Sequence, residues 1–131
     1  MIVYEEERSL FMSIDDEIEG VAGEVHRLGG IFVPAHIDRP KNSLFSQLGF
    51  IPFDLEYDAL EVSKATTPEE FVKKHQGLKG KRFLQNSDAH YPEDIASVYN
   101  RFNMERPDWE CFRAFFAENR NNGSEIYCTN G

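Results

Sequence analysis

Leu28-Gly29-Gly30-Ile31-Phe32-Val33-Pro34-Ala35-His36 reads as a helix end, then a short buried strand, then a polar residue where that strand stops. Upstream, Ile14, Ile18, Val21, Val25 and Leu28 recur at three- and four-residue spacing. That is one apolar helical face, predicted from an N-cap at Ser13 through about Leu28. Asp15, Asp16 and Glu17 suit the positive end of this helix, and Gly29-Gly30 ends it. Before it, Met1–Tyr4 reads as a strand remnant and Glu5–Arg8 as a solvated charge run.

The alternation continues downstream. Asp38–Phe53 is rich in turn residues, with a short helix around Leu44–Leu48, and Asp58–Val62 is the next strand. Thr67-Pro68-Glu69-Glu70 is a helix start of cap, proline and two acids. This helix runs to about Gln76, where Gly77 and Gly80 break it. Arg82–Asn86 is a third strand and leads into the loop Ser87–His90. Pro92–Ile95 makes a turn of helix, and Ser97–Phe102 reads as an edge strand. Pro107–Glu110 opens a last helix with apolar positions Trp109, Phe112, Phe115 and Phe116, before a short strand at Ser124–Cys128.

Helices and strands in this order predict an α/β fold, with mostly parallel strands, flanking helices and right-handed crossovers. A closed eight-unit barrel typically takes about 250 residues, so the expectation is a single domain over 1–131, built as an open layer or partial (β/α) barrel. Its open edges call for cover, for instance by a second copy of the chain in a homodimer.

With 131 residues and 40% apolar content, the chain can bury a substantial core. A net charge of −9 opposes non-specific binding to nucleic acid or an anionic membrane. A small phosphorylated substrate stays compatible with this charge, because bound divalent cations reverse the local field. Cys111, which reads as packing, and Cys128 make no disulfide framework. The acidic start does not read as a signal peptide, and no apolar run approaches the ~20 residues that span a bilayer. The expectation is a cytoplasmic protein without membrane partners.

Two segments carry most of the chemistry, His36-Ile-Asp-Arg39 and Ser87-Asp88-Ala-His90. Each follows an apolar run, and the C-terminal ends of parallel strands are where α/β folds assemble sites. His36 reads either as a metal ligand or as a strand-end histidine hydrogen-bonded to a loop. Asp38 and Arg39 either pin that loop or, for Arg39, hold a phosphate through paired hydrogen bonds. Asp88 and His90 are alternate residues, which share a face in an extended loop, and aspartate with imidazole suits zinc, manganese or iron. The competing reading is a capping aspartate with an exposed histidine. Glu61 interrupts an apolar strand, so it lies on a solvent-facing edge, the preferred reading, or close to a cation. His26 reads as a surface or packing residue and His75 as solvated. No Gly-x-Ser-x-Gly elbow or phosphate-cradling glycine loop occurs.

Leu28–His36, Ala59-Leu-Glu-Val62 and Asn86-Ser-Asp-Ala-His90 together resemble the later half of a PHP (polymerase and histidinol phosphatase) domain, most strongly over 15–120. This resemblance implies a distorted (β/α) barrel and metal-dependent phosphoesterase activity with a divalent ion: Zn, Mn or Fe. It implies metal ligands at His36, Asp88 and His90, a substrate-phosphate contact at Arg39, and Glu61 as a carboxylate close behind the ligands. The chain departs from the family pattern: it has no His-x-His, no histidine before His26, and Ile37 where a proline is usual. The resemblance therefore implies an incomplete site, needing a missing N-terminal half or another chain. The alternative is a catalytically inactive remnant, kept as a binding or oligomerisation module.

Overall fold

The computed structural model describes residues 15–41, 43–117 and 124–128. The proposed elements at Met1–Arg8 and the cap at Ser13 lie outside them. The first helix, α1, spans Ile18–Arg27 and has Glu17 at its cap position. It ends as expected. Gly29 N–H donates to the His26 carbonyl (2.9 Å) and Gly30 N–H to that of Val25 (2.8 Å), satisfying two of the carbonyls at the helix end in a Schellman turn. Gly29 sits at φ 76, and a Cβ on Gly30 would meet Val25 Cγ1 at 2.8 Å. Leu28 leaves the helical path at this turn, so it is 71% exposed instead of completing the apolar stripe.

Seven further predicted elements fall close to their expected places. They are α2 (Leu44–Leu48), β1 (Leu60–Val62), α3 (Pro68–Lys74), β2 (Phe83–Gln85), β3 (Val98–Phe102), α4 (Trp109–Ala117) and β4 (Ser124–Cys128). Thr67 Oγ1 caps α3 by accepting from Glu70 N–H at 3.2 Å. Asp108 caps α4 by accepting from Cys111 N–H at 2.8 Å.

The strands pair in two separate sheets. β1 and β2 are parallel, with Glu61 opposite Leu84, whereas β3 and β4 are antiparallel. The expectation of mostly parallel strands therefore holds for one pair only, and among the described residues the strands do not close a barrel.

Ile31–Ala35 is not a regular strand, contrary to expectation, yet it runs parallel beside β1. Asp58 N–H donates to the Phe32 carbonyl (2.9 Å), Glu61 N–H to Pro34 (3.0 Å), and Ile37 N–H to Glu61 (2.8 Å). The ladder is broken because Pro34 has no N–H and the Phe32 N–H goes to the Asp58 carboxylate, at 2.7 Å. The same carboxylate oxygen lies 2.9 Å from His26 Nε2. His26 therefore ties α1 to the strand layer.

Helices cover both faces of the parallel pair, the usual setting for such strands. On one face Leu60 and Val62 pack with Ile37, Phe71 and Leu78. On the other, Ala59 and Leu84 pack with Phe115 and Phe116 of α4. Trp109, expected on that apolar face, is 54% exposed because it stands at the first position of α4. His75 is not solvated: its ring lies against Phe45 and Phe71, with centroids 4.6 and 4.4 Å away, and joins α2 to α3.

Gln85, 4% exposed, holds the crossover loop against β2. Its Nε2 donates to the Ser63 carbonyl (2.7 Å) and the Thr66 carbonyl (2.6 Å). Replacing it with leucine strands both acceptors, so Gln85→Leu is expected to lose about 2–4 kcal/mol in urea unfolding. A loss below about 0.5 kcal/mol would show that water takes over both carbonyls.

Candidate functional site

His36 and Arg39 follow the 31–35 segment, Asp88 and His90 follow β2, and Glu61 lies within β1 between them; backbone conformation is what aims them. In a regular parallel ladder the Glu61 carbonyl would take the N–H of His36. The N–H of Ile37 makes that bond instead, which leaves one extra residue opposite Glu61. This is a bulge, and His36 takes up the extra length at φ 33. Ile37, fully buried, then turns into the core between Leu60 and Phe71. An apolar side chain is what this position needs.

Asp88 is the second left-handed non-glycine residue here, at φ 49. The loop is therefore not extended at Asp88, and the argument that alternate residues share a face does not apply to it. His90 instead curls back, with Nδ1 2.8 Å from the Asp88 carbonyl oxygen. A carbonyl only accepts, so Nδ1 is the donor in this contact and Nε2 is the ring nitrogen left outside it. His90 itself is exposed.

Glu61 is half-buried between two strand partners and not on a solvent-facing edge, because the 31–37 segment covers the side of β1 away from β2. Burial pushes its carboxyl above the usual carboxylate range, and the neighbouring Asp88 charge pushes the same way. A hydrogen bond from Asn86 and the nearby His36 and Arg39 oppose that shift. The sequence reading gave Asn86 and Asn100 no role. Asn100 of β3 imitates a neighbouring strand: its Oδ1 accepts from Gln85 N–H (3.1 Å) and its Nδ2 donates to the Gln85 carbonyl (3.0 Å). The same Nδ2 donates to Asn86 Oδ1 at 2.8 Å, which turns the Asn86 amide toward Glu61. Placement of Asn86 directly after a strand was the available signal; Asn100 had none.

Asp38 and Arg39 divide their work. The Asp38 carboxylate accepts from Ser63 N–H and Ser63 Oγ–H, both at 2.6 Å, which fixes the loop. Arg39 reaches across to pair with Asp88 through Nη2 and Oδ2.

His36, Arg39, Glu61 and Asp88 thus form one electrostatic neighbourhood, with His90 at its rim. As donor types the imidazoles and carboxylates among them suit a divalent cation, and His36 Nδ1 is a buried nitrogen without a hydrogen-bond partner. Even so, no group of three His, Cys, Asp or Glu side chains converges as a metal cage among the described residues. The donors fit in kind but do not by themselves complete a site. Beside His36 opens a largely apolar groove of about 980 Å³, bounded by Ile18, Pro34, Leu44, Phe50 and Phe53.

No family model matches the sequence and no curated protein matches it. Two solved structures do. The chain is similar to the lesion-specific endonuclease Q from Pyrococcus furiosus, with 26% identity over 83% of the chain and a TM-score of 0.64. It also shares its fold with endonuclease Q in complex with a 27-mer duplex substrate carrying an abasic lesion, at 24% identity, 76% coverage and a TM-score of 0.63. The chain spans only 28% and 26% of those two chains. No helix among the described residues is long and apolar enough to cross a membrane.

The Glu61 shift has a testable sign. A carboxyl raised in the folded state leaves folding unpenalised below its ordinary range, and stability falls as pH rises through the raised value. Glu61→Gln keeps a group able to hydrogen-bond Asn86 but cannot ionise. Urea unfolding at pH 4 and pH 7 is expected to show Glu61→Gln gaining on the wild-type chain at the higher pH. An unchanged difference between the two pH values would place the Glu61 carboxylate in a well-solvated setting.

Proposed function

We propose that this chain supplies part of a metal-dependent phosphoesterase site of the PHP type, acting on phosphate esters. The observation that supports it best is the electrostatic neighbourhood shared by His36, Arg39, Glu61 and Asp88, where the 31–37 segment and β2 end beside Glu61 of β1, with His36 and Asp88 both in left-handed conformations. Two such non-glycine residues at one place are the kind of local strain that accumulates at functional sites. Similarity to a lesion-specific endonuclease supports hydrolysis at a phosphorus centre and brings nucleic-acid phosphodiesters into the candidate substrate class. The chain's charge of −9 argues that any such contact is local to the site and not a broad basic surface.

In this reading His36, Asp88 and His90 are metal ligands, with Nε2 the ligating atom of His90. The ion, zinc, manganese or iron, supplies Lewis acidity to the phosphoryl group when bound. Arg39 neutralises and orients a phosphate through its planar guanidinium. Glu61, steered by Asn86, lies behind the ligands and adds negative charge. Further donors come from beyond the described residues or from another chain, so the isolated chain is expected to hold metal weakly.

Metal content and phosphodiesterase activity test this together. Purified chain titrated with Mn2+ or Zn2+ is expected to bind one ion weakly, and His36→Ala and Asp88→Asn are each expected to weaken binding by about tenfold or more. A chain that takes up no metal and shows no hydrolysis with added metal would leave the inactive-module alternative standing.

A further inference from the structure

We infer that the outer edge of the 31–35 segment docks an extended strand of a separate polypeptide, apolar at alternate positions and basic at its ends. Phe32 and Pro34 turn their backbone inward, where their carbonyls accept from the N–H groups of Asp58 and Glu61. Alternate residues of an extended chain direct these groups to opposite sides, so Ile31, Val33 and Ala35 turn theirs outward. None of the three makes a backbone hydrogen bond among the described residues. Pro34 interrupts the inner ladder and leaves this outer row of donors intact. Sheet edges that stay in water are ordinarily blunted by lysine or proline, and the outward row supplies neither.

Only the backbone of this segment is an edge. Ile31 and Val33 pack on the cluster of Phe115 and Phe116, and Phe32 packs on that of Ala22, Leu44 and Leu55. Both faces are covered, as in an interior strand of a parallel layer, which has a neighbour on each side. The apolar groove adjoins the same edge. Pro34, Ala35 and His36 line it together with Phe50 and Phe53, which are 59% and 100% exposed. Backbone pairing for affinity and apolar contacts for alternate side chains are the two components of strand addition. Charge decides which strand fits: Glu17, Glu19 and Asp54 line the groove, and no described lysine or arginine does. Basic residues flanking the incoming strand complement those acids. A second copy of this chain does not, because across a two-fold axis the same acids meet themselves, on chains of net charge −9 each. The edge ends at His36, so a docked strand brings its own side chains to the candidate site.

The test is amide hydrogen exchange of the full chain by NMR, alone and with a short synthetic peptide in which valine and threonine alternate between flanking lysines. In the chain alone, the Val33 and Ala35 amides are expected to exchange fast while those of Ile37 and Glu61 are protected. Saturating peptide is expected to slow Val33 and Ala35 by roughly tenfold or more. Ala35→Pro removes one outward donor and is expected to weaken peptide binding roughly three- to tenfold, with protection at Glu61 unchanged. The same peptide N-methylated at alternate residues is expected not to bind, a control that needs no variant of the chain. Replacing its lysines with glutamates is expected to weaken it, and more so at low salt. Equal binding of the N-methylated or the glutamate peptide would overturn the inference, as would no protection at any peptide concentration. Slow exchange of Val33 and Ala35 in the monomeric chain alone would overturn it too, because the chain's own residues then cover the edge. Protection that grows with chain concentration, in step with a dimer in sedimentation, would give the edge to a second copy and equally overturn it. None of these outcomes bears on metal binding, so the phosphoesterase reading stands or falls separately.

Discussion

The backbone of Glu61 holds together what the rest of the structure depends on. Its N–H and carbonyl are both committed to the 31–37 segment, through Pro34 and Ile37, while β1 pairs with β2 on its other side. Because one residue too many lies between those two bonds, His36 must bulge out and Ile37 must turn inward. A single register thus decides which side chain enters the core and which faces the site. Parallel pairing buried on both faces makes that register hard to shift, since a one-residue slip would exchange Leu60 and Val62 for Glu61 in the apolar layer.

Polar side chains complete what the short strands leave undone. Asp58 takes the Phe32 N–H that a regular ladder would have used, and Asn100 serves both backbone groups of Gln85 as a strand would. Gln85 in turn holds the carbonyls of the loop after β1. A strand of three residues buries little area and gains few backbone bonds, so these substitutes are what make the β1–β2 pair a firm base. The site inherits that firmness, because Asn100 orients Asn86 and Asn86 faces Glu61.

Most element positions were legible because they rest on local rules. The glycine pair after α1, the Thr67-Pro68 start of α3 and the apolar run of β2 each act within a few residues. The errors share a different cause. His75 sits in a charged stretch of sequence, yet α2 folds over it and places Phe45 on its ring. Glu61 read as an edge residue because nothing local shows that the 31–37 segment lies alongside it. The antiparallel pairing of β3 with β4 depends on partners about 26 residues apart in the chain, a separation at which periodicity carries no information.

By itself the sequence determined which residue types stand at the strand ends: His36, Arg39, Asp88 and His90, between apolar runs that had to be buried. Side-chain chemistry and hydrophobic patterning are properties of short stretches, so they survive without a fold. Tertiary structure alone decided that Arg39 meets Asp88, that Glu61 is desolvated between two strand partners, and that His36 leaves the ladder at a bulge. Those outcomes come from backbone register and through-space charge, which couple groups tens of residues apart.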